Sequence, residues 1–344
     1  MFNVVLASSN EYCPFLLITL TSLLENNKDD FECINIFIFD NGIDNNNKSK
    51  ILILSEKYPC KITLIKLTIF DSLDIELPKM NLKHEWSLTT YSRLFVSSIL
   101  PTNIDKILFL DCDAIVLGSF KELWDMDLEN YYCAAVLDPF NGFQFKNDFW
   151  YLNVENYINA GVLLINLEKW RTMNVEDKFI KFLEDHQGCF FFVDQGVINI
   201  VLEDKIKIIE PKYNLISYFQ FLDYDLAKAF SSIGNEYYTK EIVDESRNNP
   251  VFVHFAGGGY KLPWINKDYK FSSIFKKYAE MANCEEIIQY QDAPTFLAKL
   301  LYSNNKLLIS ILKLIPSKII LKFKINKSIE YLKSEQLKLD ELKE

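Results

Sequence analysis

Asp111-Cys112-Asp113 follows directly on the aliphatic run Lys106-Ile107-Leu108-Phe109-Leu110, so two carboxylates emerge where a buried strand reads as ending. In extended backbone, residues i and i+2 project to one side and the residue between them to the other. Asp111 and Asp113 can therefore face one cation while Cys112 turns away. Hard divalent ions take such oxygen ligands and keep positions open for substrate phosphates. The alternative reading is a strand-terminating turn. The same spacing recurs in Asp125-Met126-Asp127 and Asp223-Tyr224-Asp225, but neither leaves an aliphatic run. Both read as solvated turns or helix caps.

A second segment with chemical potential runs from Val251 to Trp264. A strand ending at His254 delivers an imidazole, Gly257-Gly258-Gly259 lets backbone amides approach an anion, and Lys261 follows. A nitrogen ligand added to two carboxylates favours manganese over magnesium or calcium. Taken alone, His254 reads as a partly buried core histidine and the glycines as a loop.

The elements that must position these groups follow from hydrophobic periodicity. The expectation is a strand over Val4 to Ala7, a helix through Phe15 to Asn26, a strand Ile34 to Phe39, a helix Lys48 to Tyr58 and a strand Ile62 to Lys66. A helix from Ser87 to Ile99 stops before Pro101 and leads into the strand carrying the first acidic triplet. Strands Ala134 to Leu137, Ala160 to Ile165 and Val251 to His254, with a helix over Val175 to Asp185, complete the pattern. This alternation predicts a mainly parallel, Rossmann-like α/β sheet flanked by helices. Ligands of such sheets gather at the carboxyl ends of the strands, where Ser8 to Tyr12 and Asp111 to Asp113 fall.

With 344 residues and 49% hydrophobic content, the chain can bury a large core and is not a disordered polymer. Its net charge of −10 argues against a nucleic-acid binder, which needs a basic face. Seven cysteines without a Cys-x-x-Cys pair suggest neither a disulfide framework nor a zinc knuckle, and fit a reducing cytoplasm. The N-terminus reads as a first strand and not a signal peptide, and no apolar run approaches the roughly 20 residues of a membrane span.

In this order, Ala7-Ser8-Ser9-Asn10-Glu11-Tyr12, Thr89-Thr90-Tyr91-Ser92-Arg93-Leu94, Leu108 to Asp113, Asn159-Ala160-Gly161 to Asn166, Asp194-Gln195 and His254-Phe255-Ala256-Gly257 with Lys261 and Pro263-Trp264 make the chain resemble the retaining glycosyltransferases of family 8. That group includes bacterial lipooligosaccharide galactosyltransferases and glycogenin. The resemblance implies a GT-A fold and a retaining hexosyltransferase using UDP-galactose or UDP-glucose. The metal, manganese with magnesium as the alternative, would be held by Asp111, Asp113 and His254. Tyr12 would stack on uracil, with Ala7, Ser9, Cys112 and Ala160 also lining the donor. Arg93 and Asp194 would grip sugar hydroxyls, and Asn159 would line the sugar pocket. Gly257 and Lys261 would contact phosphates, and Gln195 would lie beneath the anomeric carbon. Asp138 and His84 would belong to the acceptor side, the acceptor being a lipid-linked, lipooligosaccharide or glycoprotein glycan.

The chain departs from the family pattern at Ser9, where aspartate is usual, at Glu11, where asparagine is favoured, and at Gly196, where some bacterial members carry aspartate. Lys261 also sits one residue further from the glycines. Other readings of the same residues are a haloacid-dehalogenase-type phosphatase with Asp111 as nucleophile, and a non-catalytic nucleotide- or glycan-binding module. Without the resemblance, Arg93 reads equally as a surface ion-pair residue, Tyr12 as a cap on the core, and Gln195 as a helix N-terminal residue.

The domain expectation is a catalytic unit over 1–270 and a helical C-terminal region over 271–344, basic and amphipathic from about 293. There Phe296, Leu297, Leu300, Leu301, Leu307, Leu308, Ile311 and Leu312 recur at helical spacing among lysines, with Pro316 dividing two helices. Such a segment suits peripheral attachment to the anionic inner face of a membrane, each basic residue contributing about 1 kcal/mol. Deleting the residues after Asp292 is expected to abolish cosedimentation with anionic vesicles, and high salt to weaken it for the intact chain. An intact chain that ignores such vesicles at low salt refutes this reading.

Overall fold

The computed structural model describes residues 1–69, 88–139, 154–185, 193–221, 224–225, 227, 237–257 and 261–294. His84, Asp223, Gly258, Gly259 and the amphipathic segment from Thr295 to Lys327 lie outside the described residues.

Among the described residues, ten strands form two sheets. The strands are β1 (Phe2–Ser9), β2 (Ile34–Asn41), β3 (Cys60–Lys66), β4 (Lys106–Leu110), β5 (Ala114–Val116), β6 (Cys133–Leu137), β7 (Ile158–Asn166), β8 (Ile206–Ile208), β9 (Leu215–Ile216) and β10 (Phe252–His254). The larger sheet runs β3-β2-β1-β4-β7-β6-β8 and the smaller β5-β10-β9. In the larger one, β3, β2, β1 and β4 are parallel, β7 is antiparallel to both its neighbours, and β8 is parallel to β6. This is the expected mixed, mainly parallel sheet. Its central strands β1, β4 and β7 are buried almost throughout, which is why their middles read as apolar runs. The edge strand β3 is half-buried and carries lysines at positions 61 and 66, charges that discourage edge-to-edge pairing.

The helix Cys13–Asn27 starts with Pro14 in its first turn, where the missing N–H costs nothing. It is buried on most sides because it lies between the core and the small sheet. Its polar residues serve that position. Thr19 Oγ1 donates to the Ala114 carbonyl at 2.8 Å, Ser22 Oγ accepts from Val116 N at 2.9 Å, and Asn27 Oδ1 accepts from Phe120 N at 2.8 Å. Buried hydroxyls and amides must be paired. Here the pairing fastens β5, the strand following the first acidic triplet, to the helix.

The segment expected as a helix over Ser87 to Ile99 is a 3₁₀ stretch, Leu88–Phe95, leading into a single α turn, Val96–Ile99. Thr89, Thr90, Tyr91 and Phe95 are β-branched or aromatic and weaken α-helix formation, and Ser92 Oγ donates back to the Thr89 carbonyl at 2.6 Å. The tighter winding turns Arg93 into the protein. The Arg171 side chain donates to five carbonyls between Ser97 and Ile104, anchoring the end of this segment.

Asp125 and Asp127 sit in a turn, where Asp127 Oδ1 accepts from Glu129 N at 2.8 Å and Asp125 pairs with Lys121, as the solvated-turn reading expects. Beyond residue 270, the helix Ser272–Met281 packs on the helix Cys13–Asn27. Phe275, Tyr278 and Ala279 are buried, and Asn26 Nδ2 donates to the Tyr278 hydroxyl at 2.7 Å.

Candidate active site

The two chemical segments of the sequence meet because β5 and β10 are antiparallel partners, with His254 opposite Ala114. Phe255 N donates to the Asp113 carbonyl at 2.9 Å, and Asp111 N donates to the Gly161 carbonyl at 2.9 Å. The result is a cluster of one Asp111 oxygen, one Asp113 oxygen and one His254 nitrogen, all within 4.8 Å of one another. His254 Nε2 lies 3.4 Å from Asp113 Oδ1 and 3.6 Å from Asp111 Oδ2. Cys112 turns away as extended geometry requires, its thiol donating to the Ala7 carbonyl at 3.3 Å. Burial pushes that thiol well above its usual range, so it stays neutral.

Burial would lower the His254 imidazole, but Asp113 and then Asp111 outweigh it and hold it above its ordinary value. Burial would likewise raise Asp113, and His254 prevails and holds it below the usual carboxylate range. Two carboxylates and an imidazole converging on one point fit a divalent cation of hard to borderline character. The ring also needs room. A Cβ built on Gly161 would stand 2.4 Å from His254 Cε1 and 2.5 Å from Nδ1, so the glycine at that position is a condition of the cluster.

Arg93 links this cluster to the next. Its guanidinium is buried, with Nη2 2.7 Å from Asp111 Oδ1 and Nε 2.7 Å from Asp194 Oδ2. Nη1 donates to the Ala160 carbonyl, and the group stands over the Phe109 ring at 4.9 Å. The surface ion-pair reading of Arg93 is thereby overturned. Burial would lower this guanidinium, but Asp111 and Asp194 keep it above its normal value. Burial pushes the Asp194 carboxyl up to about 7 against the pull of Arg93.

A row of amides and carboxylates continues inward. Gln195, in the first turn of the helix Val193–Val201, accepts from Ala160 N through Oε1 at 3.1 Å. Its Nε2 lies 3.3 Å from Asp138 Oδ2, which also accepts from Asn159 Nδ2 at 2.9 Å. Asp138 follows β6 and Asn159 opens β7, so both stand at the edge that carries Asp111. Tyr12 is 43% exposed, with its ring 5.0 Å from Phe15, which packs at 4.7 Å on Trp264. The Asp113 carboxylate, with burial second, raises the Tyr12 hydroxyl far above its usual range. Tyr12 is thus within electrostatic reach of Asp113 and partly open to solvent. Ala7 and Ser9 close β1 at the same edge. Gly257 has φ 121°, a left-handed conformation that suits glycine, and Lys261 lies against it.

Two residues that sequence reasoning passed over complete the arrangement. Asn199 is fully buried and accepts from Ile158 N at 2.6 Å while donating to the Ile158 and Gln195 carbonyls at 2.9 and 2.8 Å, tying the helix that carries Gln195 to β7. Asn214, also fully buried, lies between His254 and Asn159. Helical spacing placed Asn199 four residues after Gln195, a usable signal. Asn214 carries none, standing between Tyr213 and the two-residue strand β9.

The architecture is that of the GT-A structures. It superposes on the galactosyltransferase LgtC, solved with donor and acceptor sugar analogues, with a TM-score of 0.63 at 23% identity over 81% of this chain and 96% of that one. The bifunctional glycosyltransferase WbbM gives a TM-score of 0.68 at 20% identity over 83% of this chain, which spans about half (51%) of that longer one. Residues 3–268 match the model for glycosyl transferase family 8, and the chain belongs to that family. A lipopolysaccharide 1,2-glucosyltransferase of Escherichia coli is 31% identical over 269 residues, covering 76% of this chain and 73% of that enzyme. Membership sets the phosphatase reading aside. If the cluster holds a divalent cation, Gly161→Ala is expected to leave the circular dichroism spectrum intact while weakening divalent-metal binding by roughly tenfold or more, because the ring must leave its place. Unchanged affinity by titration calorimetry would show that His254 does not depend on that space.

Proposed function

We propose that this protein transfers a hexose, galactose or glucose, from a UDP-sugar to a glycan acceptor with retention of anomeric configuration. The supporting observation is the convergence of Asp111, Asp113 and His254 at the strand ends, with the Gln195 amide and the Asp138 carboxylate alongside. Relatives described as lipopolysaccharide 1,2-glucosyltransferase and lipopolysaccharide 1,3-galactosyltransferase support a hexose donor and a surface-glycan acceptor. A lipid-linked, lipooligosaccharide or glycoprotein acceptor would suit an enzyme working at the cytoplasmic face of a membrane. Among the described residues, no helix is long and apolar enough to cross one.

In this reading Asp111, Asp113 and His254 hold manganese, or magnesium in its place, which when bound neutralises charge developing on the departing diphosphate. Lys261 and the Gly257 backbone meet the phosphates from the other side. Tyr12 offers its open face to uracil, with Ala7 and Ser9 beneath. Arg93, Asp194, Asn159 and Ala160 shape the sugar pocket, and Cys112 contributes backbone. Asp138 orients the acceptor.

Gln195 is held at both ends of its amide and is a poor nucleophile, which favours a same-face reaction over a covalent glycosyl-enzyme. The bond from the anomeric carbon to the diphosphate oxygen breaks, the acceptor oxygen bonds to that carbon on the same face, and the acceptor proton passes to the departing oxygen. The Gln195 carbonyl supports the electron-poor carbon between the two events.

Screening UDP-glucose, UDP-galactose and their N-acetylated forms for manganese-dependent UDP release tests the proposal. Asp111→Asn and Asp113→Asn are each expected to abolish release with the fold intact, and near-normal turnover in either removes it from the site. Gln195→Ala is expected to lower kcat by roughly 10²-fold or more with little change in donor affinity, as for a contact made at the reacting centre. A β-linked product by NMR overturns the retaining mechanism.

A further inference from the structure

Asn214 bridges the metal cluster and the Asp138–Gln195 pair, and it does so with a hydrogen-bond direction that can be worked out. Its Oδ1 lies 3.1 Å from His254 Nδ1, and its Nδ2 donates to Asn159 Oδ1 at 2.7 Å. Asn159 in turn stands between two groups that have no choice of role. The Gly161 backbone N–H can only donate, and it meets Asn159 Oδ1 at 3.0 Å. The Asp138 carboxylate, when ionised, can only accept, and it meets Asn159 Nδ2 at 2.9 Å. Reversing the Asn159 amide would set donor against donor at Gly161 and acceptor against acceptor at Asp138. With Asn159 fixed, Asn214 must present Nδ2 to it and Oδ1 to the imidazole. His254 Nδ1 then has to carry the proton.

We propose that Asn214 is a positioning residue that locks His254 in the Nδ1–H tautomer, leaving the Nε2 lone pair for the cation, and couples that ligand to the Asn159–Asp138–Gln195 row. This rests on the reading of Asp111, Asp113 and His254 as the metal site. Which imidazole nitrogen binds a metal is set by the hydrogen bond made at the other, and losing such an outer partner typically costs about 10–100-fold in metal affinity. The position also explains why an amide stands there. A carboxylate could accept from His254 but would face Asn159 Oδ1, whose orientation is already set, with a second acceptor.

Three histidines occur in the chain, so the His254 ring can be resolved by ¹⁵N NMR of histidine-labelled protein. Wild type loaded with magnesium, a diamagnetic ion that takes up the carboxylate charge facing Nε2, is expected to show the proton on Nδ1 and none on Nε2. Asn214→Leu should show mixed tautomers and bind manganese about 10–100-fold more weakly by electron paramagnetic resonance titration. Asn214→Asp should keep the tautomer and an affinity close to wild type while disturbing Asn159. Should the Leu variant fail to fold, the wild-type ring still decides: an Nε2–H ring in magnesium-loaded wild type overturns the proposal. His254→Ala is the control. Unchanged manganese affinity there removes the metal reading itself, whereas weakened binding in His254→Ala together with wild-type affinity in Asn214→Leu removes only the role of Asn214.

Discussion

Compensation of buried negative charge is the constraint on which this structure turns. Asp111 and Asp113, each partly buried, and the buried Asp194 gather at one end of a sheet with a largely apolar centre, and ionised carboxylates held back from water are costly unless paired and hydrogen-bonded. Arg93 meets part of that demand by dividing its guanidinium between Asp111 and Asp194. It takes Oδ1 of Asp111 and leaves Oδ2 toward His254. The remaining charge, shared by Asp111 and Asp113, is what a divalent cation would neutralise. In the metal reading, a fixed arginine and a bound ion would thus divide the work.

The scaffold meets a matching demand for direction. Parallel β1 and β4 carry Ser9 and Asp111 to the same edge, and antiparallel β7 brings Asn159 and Ala160 back to it. The small sheet then turns the chain after Asp113 against His254. Polar residues of the helix Cys13–Asn27 hold that small sheet through backbone contacts to β5. On the far side, Gln220 donates to the His254 carbonyl at 2.6 Å and accepts from the Tyr269 hydroxyl. Buried polar networks of this kind rigidify a site when every member is satisfied.

Local physics explains what was legible in the chain. Largely apolar runs identify β1, β2 and β4, because strands covered on both faces have few polar positions. The alternation of extended backbone identifies Asp111 and Asp113 as a pair and turns Cys112 away. The glycines and Lys261 after His254 carry the expectation of an anion-facing loop. Less legible were the short strands β5, β8 and β9, each two or three residues long, whose pairing depends on partners distant in sequence. The 3₁₀ winding of Leu88–Phe95 was missed because helical spacing does not separate it from an α-helix over so short a stretch.

The sequence by itself therefore determined the α/β alternation, the acidic pair and the family, and only through the family resemblance was the distant histidine joined to that pair. Only the tertiary structure decided that Arg93 is a buried bridge, that His254 lies opposite Ala114, and that Asn214 lies between His254 and Asn159. Periodicity reports what one element does with its own neighbours in sequence. Hydrogen-bond direction and charge pairing arise between residues separated by 40 or 55 positions, as at His254–Asn214 and Asn214–Asn159. They exist only once the sheets have closed on one another and excluded the water that would otherwise satisfy each group separately.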